Sequence, residues 1–279
     1  MPFVDLKDGG KIHYTITGEG PVVVLIAGMG GAGSYWQPQI GPFSAKYSVI
    51  LYDQRGSGQS SKDDIAYSVA QMGEELLAIL DEAEVEKAHL VGHAAGAAIG
   101  QELALKNPDR VASLVLFGGW AAIDPYFRRA FDIRKDLLRN SGRLAYVRSM
   151  PIFLNTPAYV SRNIAKIEAA EPAAAEHLSP TNILLSRIDA FCAFEPREAL
   201  RRIACPTLVC AAKDDHLVPL HCAEEMTKLI PGAVSYYFGT GGHAVSHEDP
   251  AAFDAVVLSF LDAVITGRDW TGPSQGVHP

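Results

Sequence analysis

The sequence predicts an α/β protein: a mostly parallel sheet covered by helices on both faces and interrupted by a helical insertion. Three observations carry this expectation. Short β-rich apolar runs alternate with helix-periodic stretches through the first half of the chain, as parallel strands with crossover helices require. The alternation stops from about Trp120 to Arg197, where Arg- and Ala-rich stretches separated by Pro151, Pro157, Pro172, Pro180 and Pro196 replace it. It resumes at "CPTLVCAAKDD" (205–215). With 279 residues, 48% of them hydrophobic and 20% charged, the chain can bury a large core as one fold with an insertion.

Residues 11–16 and 22–26 read as strands joined by the turn "TGEG", and 48–52 as a third. Residues 68–80 read as a helix, because Ser68 and Gln71 make a capping box and Met72, Leu76 and Leu80 form one apolar stripe. A strand at 87–91, a helix at 95–106 and a strand at 111–117 complete a further βαβ unit, with Asn107-Pro108 ending the helix. After the insertion come a strand within 205–215, a helix near 223–229, a strand at 234–238 and a helix at 250–265. The predicted organisation is a core of 1–119 and 198–266, a helical cap or lid of 120–197, and a flexible Gly/Pro-rich tail of 267–279. An insertion between two halves of such a sheet lies over the carboxyl ends of the strands, where ligands bind. The cap would therefore wall a pocket and limit substrate size.

A net charge of −8, with the acids spread along the chain, argues against a nucleic-acid or anionic-membrane partner. No run of about 18 apolar residues predicts a membrane span. The start, "MPFVDLKDGGKIHY", has no basic segment followed by an apolar one, so no signal peptide is expected. Cys192, Cys205, Cys210 and Cys222 are widely spaced and read as reduced, buried thiols of a cytoplasmic protein. Neither CxxC nor HExxH occurs, and "GMGGAG" fits a dinucleotide fingerprint only loosely, so no metal or cofactor is expected. The expected partner is a small-molecule substrate, with a homodimer left open.

The chemistry centres on "VGHAAGAAIG" (91–100). An apolar strand meets a Gly-x-x-x-Gly turn and a small-residue helix follows at once. With serine at 94 this would be the G-x-S-x-G nucleophile elbow of an α/β-hydrolase, but the chain carries Ala94. In that fold the partners follow in the order nucleophile, acid, histidine. "KDDHLVP" offers Asp214 and Asp215, and "GTGGHAVSHEDP" offers His243 and His247. Asp215 lies four residues before Pro219, which favours it over Asp214, a solvated loop charge. His243 immediately follows a predicted strand, whereas His247 sits toward the next helix. A lone histidine is ordinarily a surface or core residue. Here three stretches fall in the required order, each just after a predicted strand, and the catalytic interpretation is favoured.

An oxyanion hole would come from the backbone N–H groups of Met29, in "LIAGMGGAGSYW", and Ala95. Gly28, Gly30, His93, Trp120 and Arg128 are the candidate substrate contacts. The cap arginines 128, 129, 134, 139, 143 and 148 fit an anion-binding entrance, and fit a solvated helix face better. "YDQRGSGQS" (52–60) would brace the pocket floor and carries no assigned chemistry.

With "DQRGSGQS", "LVGHAAGA", "DDHLVP" and "GGHAVSHEDPAAF" in place, the chain resembles the α/β-hydrolase superfamily from about Lys11 to Leu261. Within it, the chain is similar to the RutD-type carbamate/aminoacrylate hydrolases of bacterial pyrimidine utilisation. That similarity rests on "VVVLIAGMGGAGSYWQPQ", "YDQRGSG", "YSVAQMGEEL", "GGW", "RRAFDIRKDLL" and "GGHA". Those proteins also tend to carry alanine in the elbow, as "GHA-x-G". The resemblance implies an α/β-hydrolase fold with an eight-stranded, mostly parallel sheet and a helical cap. It also implies a hydrolase acting on a small C–N substrate: carbamate, 3-aminoacrylate, or a related enamine or amide. Losing the nucleophile of a serine triad costs about 10⁶-fold, so only a labile substrate would react over Ala94, with His243 and Asp215 acting directly on water.

Two alternatives stay open. The chain is a serine amidase or esterase whose nucleophile was replaced by alanine, or it is a ligand-binding protein or cofactor-free His/Asp enzyme on this fold. Without an aspartate at 94, dehalogenases and epoxide hydrolases are disfavoured.

Overall fold

Alternate side chains of a strand point to opposite faces, and in this chain both faces are buried. The computed structural model of the protein describes residues 2–273. In chain order the elements are β1 (Phe3–Asp5), β2 (Lys11–Thr17), β3 (Val22–Ile26), α1 (Gln37–Ser44), β4 (Ser48–Tyr52), α2 (Val69–Glu82), β5 (Ala88–His93), α3 (Ala95–Lys106) and β6 (Val111–Phe117). Four helices follow with no strand between them: α4 (Pro125–Asn140), α5 (Gly142–Leu154), α6 (Pro157–His177) and α7 (Thr181–Cys192). The chain then returns to β7 (Thr207–Ala212), α8 (Leu220–Leu229), β8 (Val234–Phe238), the short α9 (Val245–Glu248) and α10 (Pro250–Ile265).

The strands form one sheet in the order β1-β2-β4-β3-β5-β6-β7-β8. β4 through β8 pair in parallel, and β2 pairs antiparallel with both β1 and β4. Val24, Ile26, Leu90, Leu114 and Leu116 face one layer, with Leu76 and Ile79 of α2 and Leu103 of α3. Val23, Leu25, Val91, Val115 and Phe117 face the other, with Phe43 of α1 and Phe253, Val257 and Leu261 of α10. At α2 the Ser68 hydroxyl accepts from the Gln71 N–H at 3.1 Å, the capping box read in the sequence. Among the described residues, no helix is long and apolar enough to cross a membrane.

Two expectations need correction. Of the five prolines predicted to separate helices, Pro151 and Pro172 sit inside α5 and α6. Pro157 does open a helix, where its missing N–H has no intrahelical acceptor to lose. The tail predicted to be flexible is partly docked: the Trp270 indole donates to Ser259 Oγ at 2.9 Å and meets Phe260 edge-on at 6.0 Å. A large apolar ring with one donor finds both partners on α10. The rest of that call, 274–279, lies outside the described residues.

An ion cluster around the buried Arg55 braces the β4–α2 connection. Arg55 contacts Asp8 at 2.6 Å, Asp63 at 2.7 Å and Glu75 at 3.4 Å. Burial pushes the Glu75 carboxyl from 4.5 up to about 7, against the pull of Gln71 and Arg55. Folding therefore tightens proton binding at Glu75. The stability this gives is full below pH 4.5 and is lost as pH rises through 7, about 3 kcal/mol in all. Urea denaturation at pH 5 and pH 8 checks this: the drop between the two should be smaller in Glu75→Gln than in the wild type, and an equal drop overturns it.

Candidate active site

β5 ends at His93 and α3 begins at Ala95, leaving Ala94 alone at the turn with φ 50° and ψ −112°. A non-glycine residue held in this region costs on the order of 1–3 kcal/mol, so the surroundings must impose it. They do so by hydrogen bonds and close packing. The Ala94 N–H donates to the Phe117 carbonyl at 2.8 Å, and its own carbonyl accepts from Ala97 at 2.9 Å. A Cβ on Gly92 would overlap the Gly96 carbonyl, and one on Gly96 the Ile26 carbonyl. The two glycines let α3 start directly against β3 and β5. The turn thus has the form of a nucleophile elbow with a methyl group at its tip.

Asp215, three residues beyond β7, accepts from the Leu217 and Val218 N–H groups, both at 2.8 Å, through Oδ1. Its Oδ2 meets His243 Nδ1 at 2.7 Å, and both side chains are 1% exposed. The carboxylate is fixed by main chain on one oxygen and orients the imidazole with the other. This pairing places the proton on Nδ1 and leaves Nε2 a lone pair with no protein partner among the described residues. Asp214 is more than the solvated charge expected of it. It accepts from Thr240 Oγ1 at 2.6 Å and from the Gly242 N–H at 2.9 Å, which holds the turn carrying His243. Gly118, just after β6, matters by having no side chain: a Cβ there would lie 3.0 Å from His243 Cε1.

Neither the Met29 N–H nor the Ala95 N–H donates to a protein group among the described residues, and both residues line the same pocket as Ala94 and His243. The Met29 loop is held from two sides. Gln54 Nε2 donates to the Ala27 carbonyl at 2.6 Å, and Arg187 of α7 reaches the Met29 carbonyl at 3.3 Å. Arg187 is fully buried and also donates to Gln54 Oε1 and the Arg55 carbonyl, each at 2.6 Å. A helix of the insertion therefore locks the loop that presents Met29. Arg187 carries no signal in the sequence, because its oxygen partners lie 132 to 158 positions away along the chain.

The pocket encloses about 1030 Å³, the large end for a small-molecule site. Gly28, Met29, Gly30, His93, Ala94, Ala95, Trp120 and His243 all line it, as read from the sequence. Arg128 does not: it is exposed on α4, and the insertion arginines that do reach the pocket are Arg134 and Arg143. Helical phase explains the correction, since Phe127, Phe131 and Arg134 share the inward face of α4 and Arg128 lies a turn's fraction away. Ser57 and Gly58 also line the pocket, so "YDQRGSGQS" contributes surface as well as bracing. Tyr35 and Tyr146 are lining residues that sequence reasoning missed.

His93 sits among rings, 4.8 Å from Tyr35, 4.7 Å from Phe117 and 4.7 Å from His243. Its Nε2 donates to the His243 carbonyl at 2.9 Å. Burial, and then the neighbouring His243, hold its pKa well below the usual imidazole range, so the ring is neutral. His93 thus pins the histidine turn from beneath.

A strained elbow, an oriented His–Asp pair and two unpaired N–H groups, set at the carboxyl ends of β3, β5, β7 and β8, are what acyl-transfer enzymes assemble. A family model described as the alpha/beta hydrolase fold matches residues 21–250. The chain belongs to the α/β-hydrolase fold family. It is 42% identical over 264 residues to "Putative carbamate hydrolase RutD" of Azorhizobium caulinodans, covering 95% of this chain and 99% of that protein. A protein of the same name from Caulobacter sp. (strain K31) is 38% identical over 252 residues, covering 90% and 94%. Within the family, then, this hydrolase falls in the RutD group. A solved hydrolase from Pseudomonas aeruginosa PA01 superposes with a TM-score of 0.85 at 28% identity, over 93% of this chain and 97% of that one.

Proposed function

We propose that this hydrolase cleaves a small C–N substrate (carbamate, aminoacrylate, or a related enamine or amide) without a covalent intermediate. His243 Nε2 takes a proton from water, Asp215 orients the ring, and the Met29 and Ala95 N–H groups receive the developing oxyanion. Water's oxygen bonds to carbon, the C–N bond breaks, and the proton held on His243 passes to the leaving nitrogen. The observation that carries this is the oriented 2.7 Å His243–Asp215 pair beside an elbow whose tip has no hydroxyl. The name carried by the RutD relatives supports the carbamate class.

A serine route would need another hydroxyl on His243. Ser34, Ser57 and Ser179 line the pocket, but none is hydrogen-bonded to the ring. The four cysteines do not line it. A single general base contributes about 10²–10⁴-fold, which suffices for a labile carbamate or enamine and falls far short for a stable ester. The test is ammonia release from fresh carbamate, a primary enamine and a primary amide, beside acid release from an ester, each corrected for its spontaneous rate. Acceleration of the labile C–N substrates with an inert ester is expected. An ester hydrolysed faster than all of them overturns the proposal.

A further inference from the structure

Arg134 is 2% exposed, lines the pocket and has no carboxylate within ion-pair distance among the described residues. Among the described residues its only hydrogen bond is from Nη2 to the Tyr146 hydroxyl, at 2.7 Å. Nε is buried without a partner, and Nη1 donates to no protein atom among the described residues. Three rings surround the cation, Phe131 at 4.8 Å, Tyr146 at 5.1 Å and Phe153 at 5.8 Å. Ring faces stabilise a cation but do not neutralise it. This is a buried guanidinium with donors to spare and no carboxylate partner among the described residues, an arrangement proteins rarely keep without a use.

The surroundings reinforce the point. Arg143, also on the pocket wall, donates to the Glu176 and Leu178 carbonyls and makes no ion pair among the described residues. The one acidic residue lining the pocket, Glu176, is exposed. A chain of net charge −8 thus encloses a pocket whose buried charge is positive.

We infer that Arg134 is the carboxylate receptor of this pocket, binding the anionic end of a small monocarboxylate while the C–N bond reaches His243. Nη1, with no protein partner among the described residues, is a free charge-assisted donor for a carboxylate, and Nη2 beside it keeps a second hydrogen besides the one given to Tyr146. This rests on the hydrolase function proposed above for calling the ligand a substrate.

Calorimetric titration with propanoate and propanamide, which are nearly equal in shape, separates charge from size, and an ammonia assay after each titration checks that the amide is intact. The wild type should bind propanoate at least tenfold more tightly than propanamide. Arg134→Met should bring the two to within about twofold by weakening propanoate alone. Should that variant fold poorly, Arg134→Lys keeps the charge but not the fork and should lose several-fold for propanoate. A crystal soaked with propanoate should place its carboxylate about 3 Å from Nη1. Equal binding of the two probes by the wild type, or a preference that survives both substitutions, overturns the inference. The readout does not involve turnover. Failure of every C–N substrate with the preference intact overturns the proposed function and leaves the receptor standing. Turnover without any preference does the reverse.

Discussion

Replacing His243 with alanine is expected to lower kcat/KM on a labile C–N substrate by about 10³-fold, within the range measured for loss of a general base. Because the ring is buried and packed on His93 and Gly118, alanine leaves a void. His243→Gln fills most of it, keeps a donor for Asp215 and cannot accept a proton, so its rate should fall equally while the fold is better preserved. Asp215→Asn should also be severe, since the amide no longer holds the proton on Nδ1 and the ring can present the wrong nitrogen to water. The two residues act as one unit, so the double variant should be hardly worse than His243→Ala alone. Steady-state kinetics with circular dichroism on all four proteins decides the matter. A His243→Ala enzyme within tenfold of the wild type removes the base, and the proposed mechanism with it.

That His243 and Asp215 lie side by side follows from the architecture. In a parallel sheet each strand delivers its next few residues to the same edge, so His243 after β8 and Asp215 after β7 had to converge near Ala94 after β5. Chain order and distance from a strand end carried the information. Asp214 shows the limit. It is adjacent to Asp215 and identical in type, and only the turn decides that one points at Nδ1 and the other at the Gly242 N–H. Arg128 and Arg134 show another. Both lie in one basic stretch, and which of them faces inward depends on how α4 sits against α5 and α7, a tertiary fact the stretch does not contain. Gly118 and Arg187 were silent for a third reason. A residue that matters for the room it leaves, or for the carbonyls it gathers, has no signature in its neighbours.

Restoring a hydroxyl at the elbow should have the second large effect, in the opposite direction. Ala94→Ser is expected to raise p-nitrophenyl acetate hydrolysis by 10²-fold or more, with a burst of nitrophenol as the acyl-enzyme forms. The machinery is already standing. The 94 N–H is tied to the Phe117 carbonyl, Gly118 after it packs against His243, and the Ala95 N–H donates to no protein group among the described residues. Serine adds one oxygen to a backbone already in the elbow conformation, so folding stability should change by less than about 1 kcal/mol. On a labile carbamate or enamine the same change should gain nothing if the proposed mechanism holds, because the new hydroxyl would take the place of the water assigned to His243. Gain on the ester with no gain on the C–N substrate is the pattern that distinguishes a water-using enzyme from a serine enzyme lacking its serine. A large gain on both would mean that the methyl group of Ala94 obstructs the chemistry instead of making room for it. No gain on either would mean that Nε2 does not face position 94, and the water would then have no base.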